Sequence, residues 1–338
     1  MQFPSSPSRR RFLRQTFAFS AASALVGPLT ACGSGIVAEV NSASHMLMIG
    51  DWGSVSDHLD QTAVAAAMQS YVKAHNLNVK ALLMLGDNFY GALGSTSSPR
   101  WKEQFEDMYP SSVFNCSAYA IPGNHDYIRD NGILRYDVEL AYAKTMKTRW
   151  VMPSRSYRFL FPAVDPLITV IALDSNVPYL DGSTQQGVFQ TMTAEQQQAQ
   201  LDWLTTELKK PLLTPFLVIM GHHPLYSDGP HGDNARLIED WDSLFRMHKV
   251  HAYLAGHDHD LQHLEFEGHP TSFFCSGGGG ADLYNLVIPP DKRSTYAYKA
   301  FGFSHLEVNS KMMTLRHIDE SGNILHAFTK TPDNKISF

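Results

Sequence analysis

From Met46 onward, short apolar runs alternate with longer stretches in which apolar residues recur every three or four positions. Met46–Gly50, Ala81–Leu85, Ala118–Ile121, Tyr157–Phe161, Leu167–Leu173, Phe216–Met220 and His251–Ala255 are the short runs, and they predict strands. Between them, Asp60–His75 sets Val64, Met68 and Val72 at i, i+4 and i+8, one face of a helix. Arg100–Tyr109, Ile133–Lys147, Thr193–Lys210 and Ala235–His248 predict further helices. Thr193 is placed to cap its helix, which carries three glutamines on its polar face. After Asp258 the pattern changes to strands alone: Leu261–Phe266, Ser272–Cys275, Ser304–Val308, Met312–His317 and Ile324–Thr329. Alternation followed by consecutive strands predicts an α/β protein with sheets packed together and helices outside. No linker interrupts residues 46–338, which are expected to form one domain. The longest irregular stretches, Ser175–Met192 and Gly277–Lys299, are long enough to line a site or cover one.

The residues before Met46 follow no such pattern. Ser8-Arg9-Arg10-Arg11-Phe12-Leu13-Arg14 opens like a twin-arginine export signal, and an uncharged stretch, Phe17 to Leu29, follows it. Leu29-Thr30-Ala31-Cys32 then resembles a lipoprotein processing site, with Cys32 as the residue to be lipidated. Residues 1–31 are therefore expected to be a signal peptide, 32–45 a flexible tether and 46–338 the catalytic body. The product is expected in the periplasm or anchored to a membrane through Cys32. No apolar run reaches the roughly 18 residues needed to span a bilayer.

The 338 residues carry 27 Lys and Arg against 33 Asp and Glu. Losing residues 1–31 removes four arginines and no acid, so the mature balance is 23 against 33. Such a body does not suit a general nucleic-acid binder, which needs a basic surface. Cys116 and Cys275 lie in apolar runs and are expected to be buried thiols rather than a disulfide.

Sixteen histidines stand out, and several follow predicted strands directly. Met46–Gly50 leads into Asp51-Trp52-Gly53, and Ala81–Leu85 into Gly86-Asp87-Asn88-Phe89-Tyr90. Ala118–Ile121 leads into Gly123-Asn124-His125-Asp126, and Phe216–Met220 into Gly221-His222-His223-Pro224. His251–Ala255 leads into Gly256-His257-Asp258-His259. Open α/β sheets bind ligands at strand carboxyl ends. Any one of these residues alone reads as a turn former, a cap or a packed core group. Together, two Asp, one Tyr, one Asn and three His give seven oxygen and nitrogen donors, enough for two metal ions sharing a carboxylate. A tyrosinate suits a hard trivalent ion such as iron(III), and imidazole with amide oxygen suits Fe, Zn or Mn in the divalent state. Two adjacent metals fit displacement at phosphorus.

The ordered set Asp-x-Gly, Gly-Asp-x-x-Tyr, Gly-Asn-His-Asp, Gly-His-x-Pro and Gly-His-x-His resembles the purple acid phosphatases among the calcineurin-like metallophosphoesterases. The small tartrate-resistant type is the nearest likeness. It extends to Tyr142–Phe159 and Ala252–Gln262. The resemblance implies two packed mixed β-sheets flanked by helices. It implies iron(III) on Asp51, Asp87, Tyr90 and His259, with Asp87 bridging, and a second divalent metal on Asn124, His222 and His257. His125 and His231 become the substrate-binding and catalytic histidines, with Asn124 also near substrate. His223 and Asp260 depart from the usual tyrosine and asparagine and add titratable groups. Asp126 is left either orienting an imidazole or capping a turn; Asp174 and Ser175 are expected to be structural.

The implied function is an exported acid phosphatase hydrolysing small phosphomonoesters by in-line attack of a metal-bound hydroxide. The alternatives are a phosphodiesterase or nucleotide-ester hydrolase on the same metal core, or a phosphate-binding lipoprotein without turnover.

Overall fold

In a computed structural model of the chain, residues 43–53, 58–289, 293 and 295–338 are described. The signal peptide, most of the tether and Cys32 lie outside the described residues. Ser44–Ile49 forms the middle of an eight-stranded sheet. On one side it pairs in parallel with Val79–Met84, then Ser117–Ala120, then Trp150–Val151. On the other it pairs antiparallel with Gly302–Val308, followed by Met313–Asp319, Ile324–Lys330 and Ile336–Ser337. The second sheet has seven strands. Its parallel core is Ile168–Ala172, Phe216–Met220, Ala252–Ala255 and Ser272–Ser276. Tyr157–Phe161 closes one edge, and Leu261–Leu264 with Tyr296–Tyr298 the other, all antiparallel.

Side-chain alternation explains why these sheets stack. Met46 and Met48 of the first strand face the other sheet, where they join Val170, Val218, Leu254 and Phe274 in one buried cluster. Leu47 and Ile49 point outward and pack with Val64, Met68 and Val72 of helix Leu59–Ala74. On the far side Ile171, Leu217, Ile219 and Tyr253 pack with Leu204 and Leu208 of helix Ala194–Leu208 and with Trp241 and Phe245. The central parallel strands are thus buried on both faces and read as apolar runs rather than alternating ones, as in Ile168–Ala172, Phe216–Met220 and Ala252–Ala255.

The predicted elements appear within a few residues of their expected ends, with four differences. The expected continuous helix Ala235–His248 is three pieces: Ala235–Leu237, a wide π turn Ile238–Asp242 that buries Trp241, and Ser243–Met247. Arg100–Tyr109 narrows to a π-type helix, Trp101–Glu106, whose Trp101 stacks flat on Tyr142 at 3.6 Å. The glutamine face of Ala194–Leu208 is partly interior. Gln197 and Gln200 are buried, and Gln200 bonds the backbone of Asp174 in both directions, at 3.0 and 2.7 Å. Cys116 and Cys275 are free thiols, but only Cys275 is fully buried. The Thr193 cap is present and is reciprocal, with Gln196 bonding back to the Thr193 amide. Among the described residues, no helix is long and apolar enough to cross a membrane.

Candidate metal centre

The five strands that precede the predicted donors end at the same pole of the sandwich, three from the first sheet and two from the second. Each is followed by a tight turn that presents one or two polar side chains. Three of these presenting residues, Asp51, Asp87 and His257, sit in the left-handed backbone region at φ 56, 50 and 72°. Such non-glycine conformations are uncommon and collect where a site over-determines them. The turns are also knit to one another: Asp51 N–H donates to Gly86 O at 3.1 Å, and His257 N–H to Asp51 Oδ2 at 2.7 Å. Glycine is required where they touch. A Cβ on Gly123 would lie 2.1 Å from Asp87 Oδ1, and one on Gly256 would lie 2.5 Å from Asp51 Oδ2.

All seven sequence-predicted donors converge here. Asp51, Asp87 and His259 form one buried group whose donor atoms lie within 4.8 Å of one another. Tyr90 joins it, donating its O–H to Asp87 Oδ2 at 3.0 Å and standing 3.2 Å from His259 Nε2. Asn124 Oδ1 lies 3.2 Å from His222 Nε2 and 2.9 Å from His257 Nδ1, which defines a second group. Asp87 stands between the two, its Oδ1 3.5 Å from His222 Nε2. His223 also falls within 4.8 Å of His222 and His257, so a residue expected only to add a titratable group is a further potential donor.

The outer nitrogens fix the rings. His222 Nδ1–H donates to Leu85 O at 2.9 Å, and His259 Nδ1–H to Asp282 O at 2.6 Å. Both therefore turn an Nε2 lone pair inward, as metal-ligating imidazoles do. Asp51 Oδ1 is buried and finds no hydrogen-bond partner among the described residues. His259 and His222 Nε2 stand 3.5 and 3.9 Å from it without bonding it. A buried carboxylate oxygen left without a hydrogen bond is expensive, and a cation resolves it. This orphan atom and the hard oxygen and imidazole donor set together fit two metal ions.

Electrostatics tell the same story. Burial would raise the Asp87 carboxyl, but His222 beside it and His125 hold it below the usual carboxylate range. Burial would depress His222, but Asp87 and Asp51 push it up to about 10. Without metal, the His222 proton partly supplies the cationic charge the carboxylates need. Burial, then Asp87 and Asp51, drive the Tyr90 phenol well above its ordinary value. Burial and the neighbouring imidazoles keep His257 well below its own.

The two other predicted histidines flank the centre. His125 donates its backbone N–H to Asp87 Oδ1 at 2.8 Å and lays its ring on Tyr90, centroids 4.2 Å apart. His231 stands with its ring 4.0 Å from that of His257, and its Nδ1 lies 2.6 Å from the buried Asp258 Oδ1. His231, Asn124, His223 and His257 open onto a cleft of about 460 Å³ whose far wall includes Tyr179, Phe189 and Arg236. Part of the 175–192 loop thus lines the site, including Ser175, whose Oγ lies 2.7 Å from His223 Nδ1. Asp174 is structural, accepting from Arg155 at 2.6 Å and from Tyr127.

Asp126 resolves to the capping alternative: its carboxylate accepts from the amides of Gly123, Asn88 and Phe89 and from no imidazole. Three contacts escaped the sequence reading. They are Asp258 behind His231, Tyr284 stacked on His259 at 4.0 Å, and the Asn88–Glu139 bond at 2.9 Å under the Asp87 turn. Asp258 was legible as the residue between two ligand histidines. Tyr284 and Glu139 come from distant segments with no local signal.

The sequence model of the calcineurin-like phosphoesterases matches residues 45–261. Tartrate-resistant acid phosphatase type 5 of Oryctolagus cuniculus is 31% identical over 299 residues, covering 82% of this chain and 87% of that protein. Purple acid phosphatase 4 of Arabidopsis thaliana is 28% identical over 293 residues, covering 83% and 81%. Among solved structures, the purple acid phosphatase PPD1 of yellow lupin (Lupinus luteus) superposes with a TM-score of 0.62 at 16% identity, covering 86% of this chain and 54% of that one.

Proposed function

The chain belongs to the calcineurin-like phosphoesterase family, and we propose that within it this protein is an exported acid phosphatase acting on small phosphomonoesters. The observation that supports this most directly is the convergence of seven donors in two adjoining groups, with Asp51 Oδ1 buried and without a hydrogen bond among the described residues. In this reading Asp51, Asp87, Tyr90 and His259 would hold iron(III), a phenolate suiting a hard trivalent ion. Asn124, His222 and His257 would hold a divalent Fe, Zn or Mn, and Asp87, 3.5 Å from His222 Nε2, stands close enough to both groups to contribute to either. Bound there, the pair would supply Lewis acidity and an activated water for attack at phosphorus.

The protein's own groups do the rest. Gly86, Gly123 and Gly256 let the turns close, so the donors are held before substrate arrives. His125, fixed through its backbone on Asp87, offers its imidazole to the phosphoryl oxygens. His231 uses Nδ1 on Asp258 and keeps Nε2 for the cleft, where it can donate a proton to the leaving oxygen. Phe189 and Tyr179 limit water on the leaving-group side. Operation below neutrality is supported by the likeness to acid phosphatases. Export and attachment through Cys32 are supported by the sequence of residues 1–32.

The test is the pH–rate profile of aryl phosphate hydrolysis, with Asn124→Ala as control. Turnover that peaks below neutrality and collapses in the variant is expected. No turnover at any pH, from protein carrying two metals per chain, would refute the phosphatase reading and favour a diesterase or a phosphate-binding protein. His231→Ala should lose more on alkyl than on activated aryl phosphates, because a good leaving group needs no proton. Equal losses would remove His231 as the acid.

A further inference from the structure

The strands that carry the metal centre all run toward it, so their amino ends emerge at the opposite pole. Ser44 is there, paired with Val308. So are the connections that enter Ile168, Phe216, Ala252 and Met313. Large apolar side chains stand exposed on those connections: Val164 at 77%, Leu213 at 85%, Met247 at 71%, with Leu212 and Met312 less so. None is needed for the core, and solvating them is unfavourable. Leu212 and Met247 edge a groove of about 280 Å³ that also takes in Arg158, Lys210, His248 and Lys249. Among the described residues the only carboxylate lining it is Glu207, already paired with Lys210 at 2.5 Å and Arg158 at 3.5 Å. The Nε2 of His248 is buried there without a hydrogen-bond partner among the described residues. In a chain of net charge -6, this is a local cationic surface rimmed by protruding apolar side chains.

We propose that this pole is a membrane-contact face that seats on anionic phospholipid, with Leu213 and Met247 entering the interface and Lys210 and Lys249 meeting headgroup phosphates. The proposal rests on the reading that Cys32 is lipidated. Cys32 lies twelve positions before Ser44. At no more than about 3.6 Å per residue, a lipid there would hold Ser44 within roughly 40 Å of the bilayer. Ser44 belongs to the same pole as the apolar and basic groups, so tether and patch address one surface. Apolar insertion combined with basic residues is the chemistry of interfacial binding. The metal centre would then face away from the bilayer, open to soluble substrate.

The test is vesicle co-sedimentation of the chain from residue 33 onward with Cys32 absent, since Asn41–Phe338 forms one compact unit with all three cores inside it. Vesicles of phosphatidylcholine alone are compared with vesicles that also contain anionic phosphatidylglycerol, whose surface potential attracts basic residues. Sedimentation with the anionic vesicles is expected. Leu213→Ser with Met247→Ser should lower partitioning by about tenfold or more. Lys210→Glu with Lys249→Glu should lower it by about tenfold on anionic vesicles only. Aryl phosphate turnover should stay at the parent value for both pairs, and melting temperature for the apolar pair, while Lys210→Glu loses only the surface pair with Glu207, so a failed phosphatase reading is recognised separately. Parent protein that stays in the supernatant would overturn the proposal. So would variants that bind vesicles like the parent, or variants that change only the oligomeric state, which would make a second copy the occupant.

Discussion

Gly123→Ala isolates the packing of the metal centre from its chemistry, because it adds one methyl group and replaces no donor. Gly123 does not need a positive φ, so alanine meets no backbone strain of its own. Its Cβ would stand 2.1 Å from Asp87 Oδ1, 2.3 Å from Asp87 N and 2.8 Å from Asp87 Cγ, against 3.4 Å or more for ordinary contact. Relief requires a displacement of about 1 Å or more. Asp87 cannot retreat on its own. It accepts from His125 N–H at 2.8 Å and Tyr90 O–H at 3.0 Å, and its backbone holds φ 50°. Gly123 cannot retreat freely either, since its N–H is bonded to Asp126 Oδ2 at 2.8 Å.

The strain should cost roughly 1–3 kcal/mol of stability. A misplacement of about 1 Å at the carboxylate serving both metal positions should cost on the order of 100-fold or more in kcat/KM. The assay is kcat/KM on an aryl phosphate with metal content per chain, measured before and after incubation with excess metal ion. Metal loss with partial recovery in excess metal is expected. Parent-level kcat/KM with two metals bound would refute the claim that the approach of these two turns positions Asp87.

Tyr90→Phe should remove a visible charge-transfer absorption from iron-loaded protein while leaving the fold intact. An unchanged spectrum would take the phenol out of the metal set. Ser175→Ala frees His223, whose Nδ1 lies 2.7 Å from Ser175 Oγ, and should raise KM more than it lowers kcat. A pure kcat effect would contradict a role at the cleft wall. Burial, reinforced by Arg316, lowers His305 to about 3. The unfolded chain then binds more protons than the native one as pH falls from about 6.5 to 3, so stability is lost over that window, by up to about 5 kcal/mol. His305→Gln should flatten the acid limb of a melting-temperature profile, and an unaltered limb would sink the assignment. Burial lowers Lys330 to about 8, so stability should rise from pH 8 to about 10.5, by about 3 kcal/mol at most. Lys330→Met should remove that rise.

The donors were legible in the sequence because a strand ending in glycine and then Asp, Asn or His is a local pattern, and chemistry at strand carboxyl ends is a general property of α/β sheets. The Thr193 cap was legible for the same reason: Gln196 lies three residues away, and the whole device fits in one turn. Helix Ala235–His248 was misjudged because its break serves a tertiary demand, the burial of Trp241 against Tyr253, at 6.2 Å. Gln197 and Gln200 looked solvated because periodicity marks which residues share a face, not what faces them. The partition of the late strands was likewise invisible. Gly302–Val308, Met313–Asp319 and Ile324–Lys330 extend one sheet, while Leu261–Leu264, Ser272–Ser276 and Tyr296–Tyr298 extend the other.

The sequence by itself therefore determined which residues could bind metal, because ligand chemistry is a property of side chains and their immediate turns. Only the tertiary structure decided that five separated turns meet, that Asp87 stands between two groups, and that Asp258 backs His231. It also decided that the amino ends of the strands gather Leu213, Met247 and Lys249 at the far pole. Those relations join residues far apart in the chain, such as His257 and Asp51, whose bond spans 206 positions. They depend on two sheets twisting over one shared core, which no local pattern encodes.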